Sequence, residues 1–114
     1  MTGSATAAAD SAILAPLLGD NEVAELFTDA AQVAAMAQFE VGLARAQARV
    51  GVIPASAAET ITDRAVGFAA DLLEMGASTA NAAVPTIALV QQMRAHIDAD
   101  DARYLHWGAT SQDV

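Results

Sequence analysis

A chain of 114 residues, 54% of them hydrophobic, is long enough to bury one modest core, and with no cysteine it has neither a disulfide framework nor a thiolate metal site. Its formal net charge of −9 would be repelled by phosphate backbones and anionic lipid surfaces, which argues against nucleic acid and membranes as partners. About thirty alanines and sparse aromatic and β-branched residues argue against an all-β fold and for an all-α one.

In chain order, residues 1–10 (MTGSATAAAD) are small and polar and read as a loose arm. They carry no basic residue and no long apolar core, so they do not read as a signal peptide. No apolar run reaches the ~18 residues that would span a bilayer, and a cytoplasmic setting is the default expectation. Residues 11–20 (SAILAPLLGD) are apolar but carry Pro16 and Gly19, so an extended, packed lead-in is expected. Asp20 or Asn21 caps a short helical turn ending near Phe27.

The clearest element follows. Asp29 and Gln32 stand at the spacing of a capping box. Met36, Phe39, Leu43, Ala46 and Val50 then recur every three or four residues, one stripe of a helix over 29–50, about 30 Å long. Gly51 stands where a left-handed residue ends such a helix. Alanine-rich flanks allow close helix approach, so self-association is expected. Ser56 and Glu59 form a second capping box, opening a helix to about Arg64. Phe68, Leu72 and Met75 give a stripe ending at Gly76. Residues 78–85 are expected to be a break, because Pro85 disfavours helix at Val84. Pro85 itself suits the first turn of a helix to about Ile97, with Val90, Met93 and Ile97 on its apolar side. Residues 98–101 (DADD) read as a solvated acidic loop, and residues 103–107, with the only tyrosine and tryptophan, as extended or irregular. The prediction is an all-α chain, one long helix plus several short ones, as a single helical domain.

Chemistry concentrates in the last dozen residues, YLHWGATSQDV being their core. Thr110 and Ser111 are good N-caps and Asp113 fits a first turn, so the segment announces a helix start. A helix start offers free amide hydrogens and a positive dipole end, here with two hydroxyls added, which suits a carboxylate or phosphate. His106 stands just before it, placed to donate to the same anion or to relay a proton. The bland reading, a cap and a surface histidine, accounts for the same spacing. His96 fits a helix C-terminus, where a cation is favoured. Asp98, Asp100 and Asp101 lack the ordered oxygen spacing of a calcium loop. Glu40 is read as a surface or interface residue, because no second carboxylate accompanies it. Ser111 has no base-and-acid partner set for a hydrolase, and no phosphate loop or dinucleotide fingerprint occurs.

HWGATSQDV resembles the first signature region of the fumarase/aspartase superfamily, and most nearly its 3-carboxy-cis,cis-muconate cycloisomerase branch. LLGDNEVAELF (17–27) and FEVGLARAQARVGVIP (39–54) are similar to the amino-terminal region of the same branch; NAAVPTIALV (81–90) matches less cleanly. The resemblance runs from about residue 11 to the end and covers only the opening part of the family's usual length. It implies an all-α fold, a homotetramer whose active sites draw on three subunits, no metal and no organic cofactor. It also implies β-elimination or its reverse through an aci-carboxylate, which in the cycloisomerase closes a lactone. Thr110 and Ser111 match positions that hold a substrate carboxylate, and His106 matches a pocket-lining histidine of the adenylosuccinate lyase branch. Gln112 and Asn81 are further substrate-contact candidates. Asn81 stands where that branch has another histidine, a departure that weighs against adenylosuccinate lyase. The family's catalytic histidine region and serine-bearing loop have no counterpart here. The expectation is therefore an amino-terminal piece of a longer enzyme, holding part of a tricarboxylate substrate site, with no catalytic residue of its own and inactive alone. A different class stays open: a free-standing helical interaction or oligomerisation module.

Overall fold

The computed structural model describes residues 11–97 and 99–114; the expected loose arm, 1–10, lies outside them. Among the described residues there are seven helices and no strand: α1 Ala15–Leu18, α2 Asn21–Glu25, α3 Asp29–Arg49, α4 Ala55–Ala65, α5 Leu72–Ala82, α6 Thr86–His96 and α7 Ala99–Ala102. None of them is long and apolar enough to cross a membrane. Contacts divide the chain into two units, Met1–Gln32 and Val33–Val114.

In the first unit the lead-in is not extended. Pro16 sits in the first turn of α1, where its missing N–H costs nothing, and Gly19 ends it. A Cβ on Gly19 would come 2.6 Å from the Ala15 carbonyl oxygen, so the chain turns there only with glycine. Nor is the lead-in packed: Ile13 and Leu17 are each more than two-thirds exposed, as are Leu26 and Phe27 beyond it. Asp20 caps α2, accepting from the Val23 amide at 3.2 Å. The cap of α3 is Thr28 rather than Asp29. Its hydroxyl accepts from the Ala31 amide at 3.1 Å and donates to the Glu25 carbonyl at the same distance, which ties α2 to α3.

In the second unit α3 ends as the sequence predicts. Gly51 is left-handed (φ +79°), the Val52 amide donates to the Gln47 carbonyl and the Gly51 amide to Ala48, a Schellman end. Its buried face is rotated from the predicted stripe. Met36, Glu40 and Ala44 are buried, with Val33, Ala37, Val41 and Ala48 packed beside them, whereas Ala46 and Val50 are exposed. Counting only apolar residues misplaced the face, because its central member is an acid.

Helix α4 begins after Pro54, and Ser56 lies inside it without capping it. Helix α5 starts at Asp71, whose carboxylate accepts from the Leu73 and Glu74 amides at 3.0 Å. Gln92 of α6 grips the same place: its Oε1 accepts from the Asp71 amide at 2.8 Å and its Nε2 donates to the Asp71 carbonyl at 3.2 Å. With both ends of that peptide satisfied, α5 runs through Gly76 and through Ser78–Ala82, where a break was expected. Gly76 is not left-handed, unlike Gly51, so this glycine is no stop signal. The break comes at Ala83, left-handed (φ 64°), just before Pro85. Alanine in that conformation costs about 1 kcal/mol. Ala83→Gly is therefore expected to raise stability by up to that amount, read as a higher midpoint of thermal unfolding.

Helix α6 buries Val90 and Met93, with Ile97 just past its end, as predicted. It packs against α5 and α7, and α4 also packs against α7. The core joins Met36, Ile53, Ile61, Met75, Leu89, Met93, Ile97 and Leu105, each fully buried large side chain stabilising by about 1.5–3 kcal/mol. The acidic 98–101 stretch is not a loop throughout, since α7 covers Ala99–Ala102; Asp98 lies outside the described residues.

Candidate functional site

Residues 103–108 form consecutive turns that begin where α7 ends. Leu105 enters the core at 0% exposure and anchors the segment. Its carbonyl accepts from Arg94 Nη2 of α6 at 3.0 Å. Two residues on, the Trp107 carbonyl accepts from Gln47 Nε2 of α3 at 2.6 Å. His106, held between these two ties, is left-handed (φ 60°). Its Nδ1 meets Glu40 Oε1 at 2.5 Å, with the Glu40 side chain fully buried and that of His106 14% exposed. Tyr104 meets the Trp107 ring at a tilt, ring centres 5.9 Å apart, and the Arg103 guanidinium lies over the Tyr104 ring, 4.8 Å from its centre.

The burial of Glu40 within the chain corrects the sequence reading, which placed it on a surface or an interface. A buried carboxylate is tolerated only when paired, and here the partner lies 66 positions away. A signal did exist: Glu40 stands midway between Met36 and Ala44 at helical spacing, an acid on an otherwise apolar line. Gln47 and Arg94 were likewise not singled out. Their clamping role depends on carbonyls that no sequence pattern marks.

Gly108 is also left-handed (φ +71°), and the chain then turns once more through residues 110–114. Thr110 takes the place of an N-cap. Its amide donates to Asp113 Oδ2 at 2.7 Å, the reciprocal half of a capping box, and the Asp113 amide donates to the Thr110 carbonyl at 3.1 Å. The Thr110 hydroxyl lies 3.0 Å from Gln112 Oε1 and 3.2 Å from Asp113 Oδ2. The amide expected to be free for an anion thus already holds a carboxylate, that of Asp113. Ser111 is half-buried, and its hydroxyl has no hydrogen-bond partner among the described residues. Thr110, Gln112 and Asp113 are therefore brought together, and His106 is joined to Glu40. Asn81 is not joined to either group: it lies exposed in the last turn of α5, its amide donating to the Ala77 carbonyl at 3.1 Å. His96 packs edge-on against Phe68, ring centres 5.8 Å apart.

A cleft of about 540 Å³ separates α3 from this terminal segment, lined by Phe39, Leu43, Gln47, Trp107, Gly108 and Asp113 among others. Phe39 and Leu43, expected in the core, thus line a cleft instead.

No protein-family model matches the chain. Individual relatives do. It is 46% identical over 110 residues to a 3-carboxy-cis,cis-muconate cycloisomerase from Acinetobacter baylyi, covering 91% of this chain and 24% of that protein. It is 38% identical over 111 residues to a nitrosuccinate lyase from Streptomyces davaonensis, covering 95% and 23%. The crystal structure of β-carboxy-cis,cis-muconate cycloisomerase from Acinetobacter calcoaceticus superposes with a TM-score of 0.81 at 42% identity, over 88% of this chain and 24% of that one. The chain belongs to the fumarate lyase superfamily. Within the superfamily it matches the amino-terminal portion, and it spans about a quarter of the length of the curated relatives. The resemblance carried by HWGATSQDV and by the amino-terminal half points to the same superfamily, and the all-α fold agrees with the solved cycloisomerase.

Proposed function

We propose that the chain forms the amino-terminal part of a 3-carboxy-cis,cis-muconate cycloisomerase and that Thr110 and Ser111 help to hold a substrate carboxylate. The 46% identity to the Acinetobacter baylyi cycloisomerase carries this reading. In the reaction one carboxylate oxygen adds to a double bond and forms the lactone C–O bond. The π electrons move to the adjacent carbon and onto the carboxylate attached to it, and a proton is then added at that carbon. The Thr110 and Ser111 hydroxyls would meet the carboxylate on which charge builds up, and a donor that tightens there lowers the barrier. Since Asp113 occupies the Thr110 amide in the free chain, the Thr110 hydroxyl has to rotate toward the ligand, and Ser111 is the donor with no prior partner among the described residues. In this reading His106 faces the substrate, with Gln112 and Asn81 as outer contacts. The proposal includes no metal or organic cofactor. It includes a homo-oligomer in which the exposed Ile13, Leu17, Leu26 and Phe27 are covered, and it holds the isolated chain inactive.

A second reading keeps the superfamily and changes the substrate; the 38% identity to the nitrosuccinate lyase favours it. One experiment separates the two. This chain replaces the matching segment of the Acinetobacter baylyi cycloisomerase, and the chimera is offered 3-carboxy-cis,cis-muconate and nitrosuccinate and sized by sedimentation. The expected result is an oligomer that forms lactone within about tenfold of the parent rate, a rise of no more than ~1.4 kcal/mol in the barrier. A folded oligomer that turns over only nitrosuccinate would replace the first reading with the second, and a monomer would discard the oligomer.

A further inference from the structure

We propose that Glu40 is a positioning residue, whose buried carboxylate holds the His106 imidazole proton on Nδ1 and leaves Nε2 as the ring atom offered to a ligand. Its use in substrate binding rests on the function proposed above, but the tautomer itself does not. Three observations converge on it. The pair is short, 2.5 Å, and its acid is fully buried. Replacing a buried ion pair by apolar side chains is often neutral or stabilising, so packing alone gives little reason to bury an acid against a histidine. The second observation is backbone strain. His106 is left-handed, a conformation that persists in a non-glycine residue only when its surroundings over-determine it and that clusters at functional sites. Third, the surroundings do over-determine it: Arg94 holds the Leu105 carbonyl and Gln47 the Trp107 carbonyl, which fixes the backbone on both sides of His106.

The proton's place follows from chemistry. An ionised carboxylate only accepts hydrogen bonds, so its contact with Nδ1 is made by a hydrogen carried on the ring. Whether the ring is neutral or charged, Nδ1 then carries hydrogen and points it at Glu40, and only Nε2 changes its hydrogen-bonding role. Nε2 accepts from a ligand in the neutral ring and donates to a carboxylate in the charged one.

The chain has two histidines, His106 and His96, so long-range proton–nitrogen NMR on the ¹⁵N-labelled protein resolves both, with His96 as the internal reference. At pH ~8.5, above the ordinary histidine range, His106 is expected to carry hydrogen on Nδ1, with or without a second on Nε2. Glu40→Leu keeps the volume and the burial; in a variant with native helical circular dichroism, His106 is expected to lose that hydrogen from Nδ1 while His96 is unchanged. A bare Nδ1 at His106 in the native chain overturns the proposal, and so does a Nδ1 hydrogen that persists in folded Glu40→Leu. No substrate is present in either measurement, so a failed carboxylate assignment at Thr110 and Ser111 would leave this result standing, and the reverse holds too.

Discussion

His106→Ala is expected to destabilise this chain by about 3–5 kcal/mol, because it leaves the Glu40 carboxylate buried with no partner. The effect is large against the ~5–15 kcal/mol that separates folded from unfolded chains of this size. Among the described residues Glu40 Oε2 has no hydrogen-bond partner, so the Nδ1 contact is the carboxylate's one tie there. Two controls divide the effect. His106→Gly removes the same partner but relieves the left-handed backbone, so it is expected to cost about 1 kcal/mol less than the alanine variant. Adding Glu40→Leu to His106→Ala removes the orphaned charge and is expected to recover most of the loss, so the two changes are strongly non-additive. Urea unfolding followed by circular dichroism reads all three. A His106→Ala loss below about 1 kcal/mol would place Glu40 in contact with water or with another donor, and the buried pair would no longer explain the turn.

Changing Thr110 and Ser111 together to alanine is expected to lower turnover of the chimeric cycloisomerase about 10²–10³-fold, the range seen when donors to a developing negative charge are removed. The split between constants carries the information. Charge on the substrate carboxylate rises between the ground state and the aci-carboxylate, so kcat should fall more than KM rises. Of the two, Ser111→Ala should have the larger single effect, because its hydroxyl has no partner among the described residues while that of Thr110 is shared with Gln112 and Asp113. The expected change is kinetic rather than structural, since neither side chain enters the core. A double variant with unchanged turnover would remove both residues from the substrate site.

Both predictions concern the last dozen residues, but they were open to the sequence in different degrees. Thr110, Ser111 and Asp113 announce a helix start through their types and spacing, and in the structure the Thr110 amide and the Asp113 carboxylate do form half of a capping box. Such a motif is local, satisfied within four residues, so reading it needs no fold. Gly51 was legible for the same reason, as was the α6 face of Val90 and Met93. Where a second element intervened, local reading failed. Gln92 secures the start of α5 from another helix, and α5 then runs on past Gly76. Pro54 starts α4 two residues before the Ser56 expected to do so.

By its own pattern, the sequence determined that the chain is helical, where its long helix starts and stops to within a residue or two, and that its polar chemistry gathers around Thr110. Those properties depend on backbone hydrogen bonding and side-chain caps reaching three or four positions along the chain. Only the tertiary structure decided which face of α3 is buried, and that Glu40 on that face meets His106 66 positions later. An acid at one point of a helix is equally compatible with water and with the core; the choice depends on whether the fold brings it a partner.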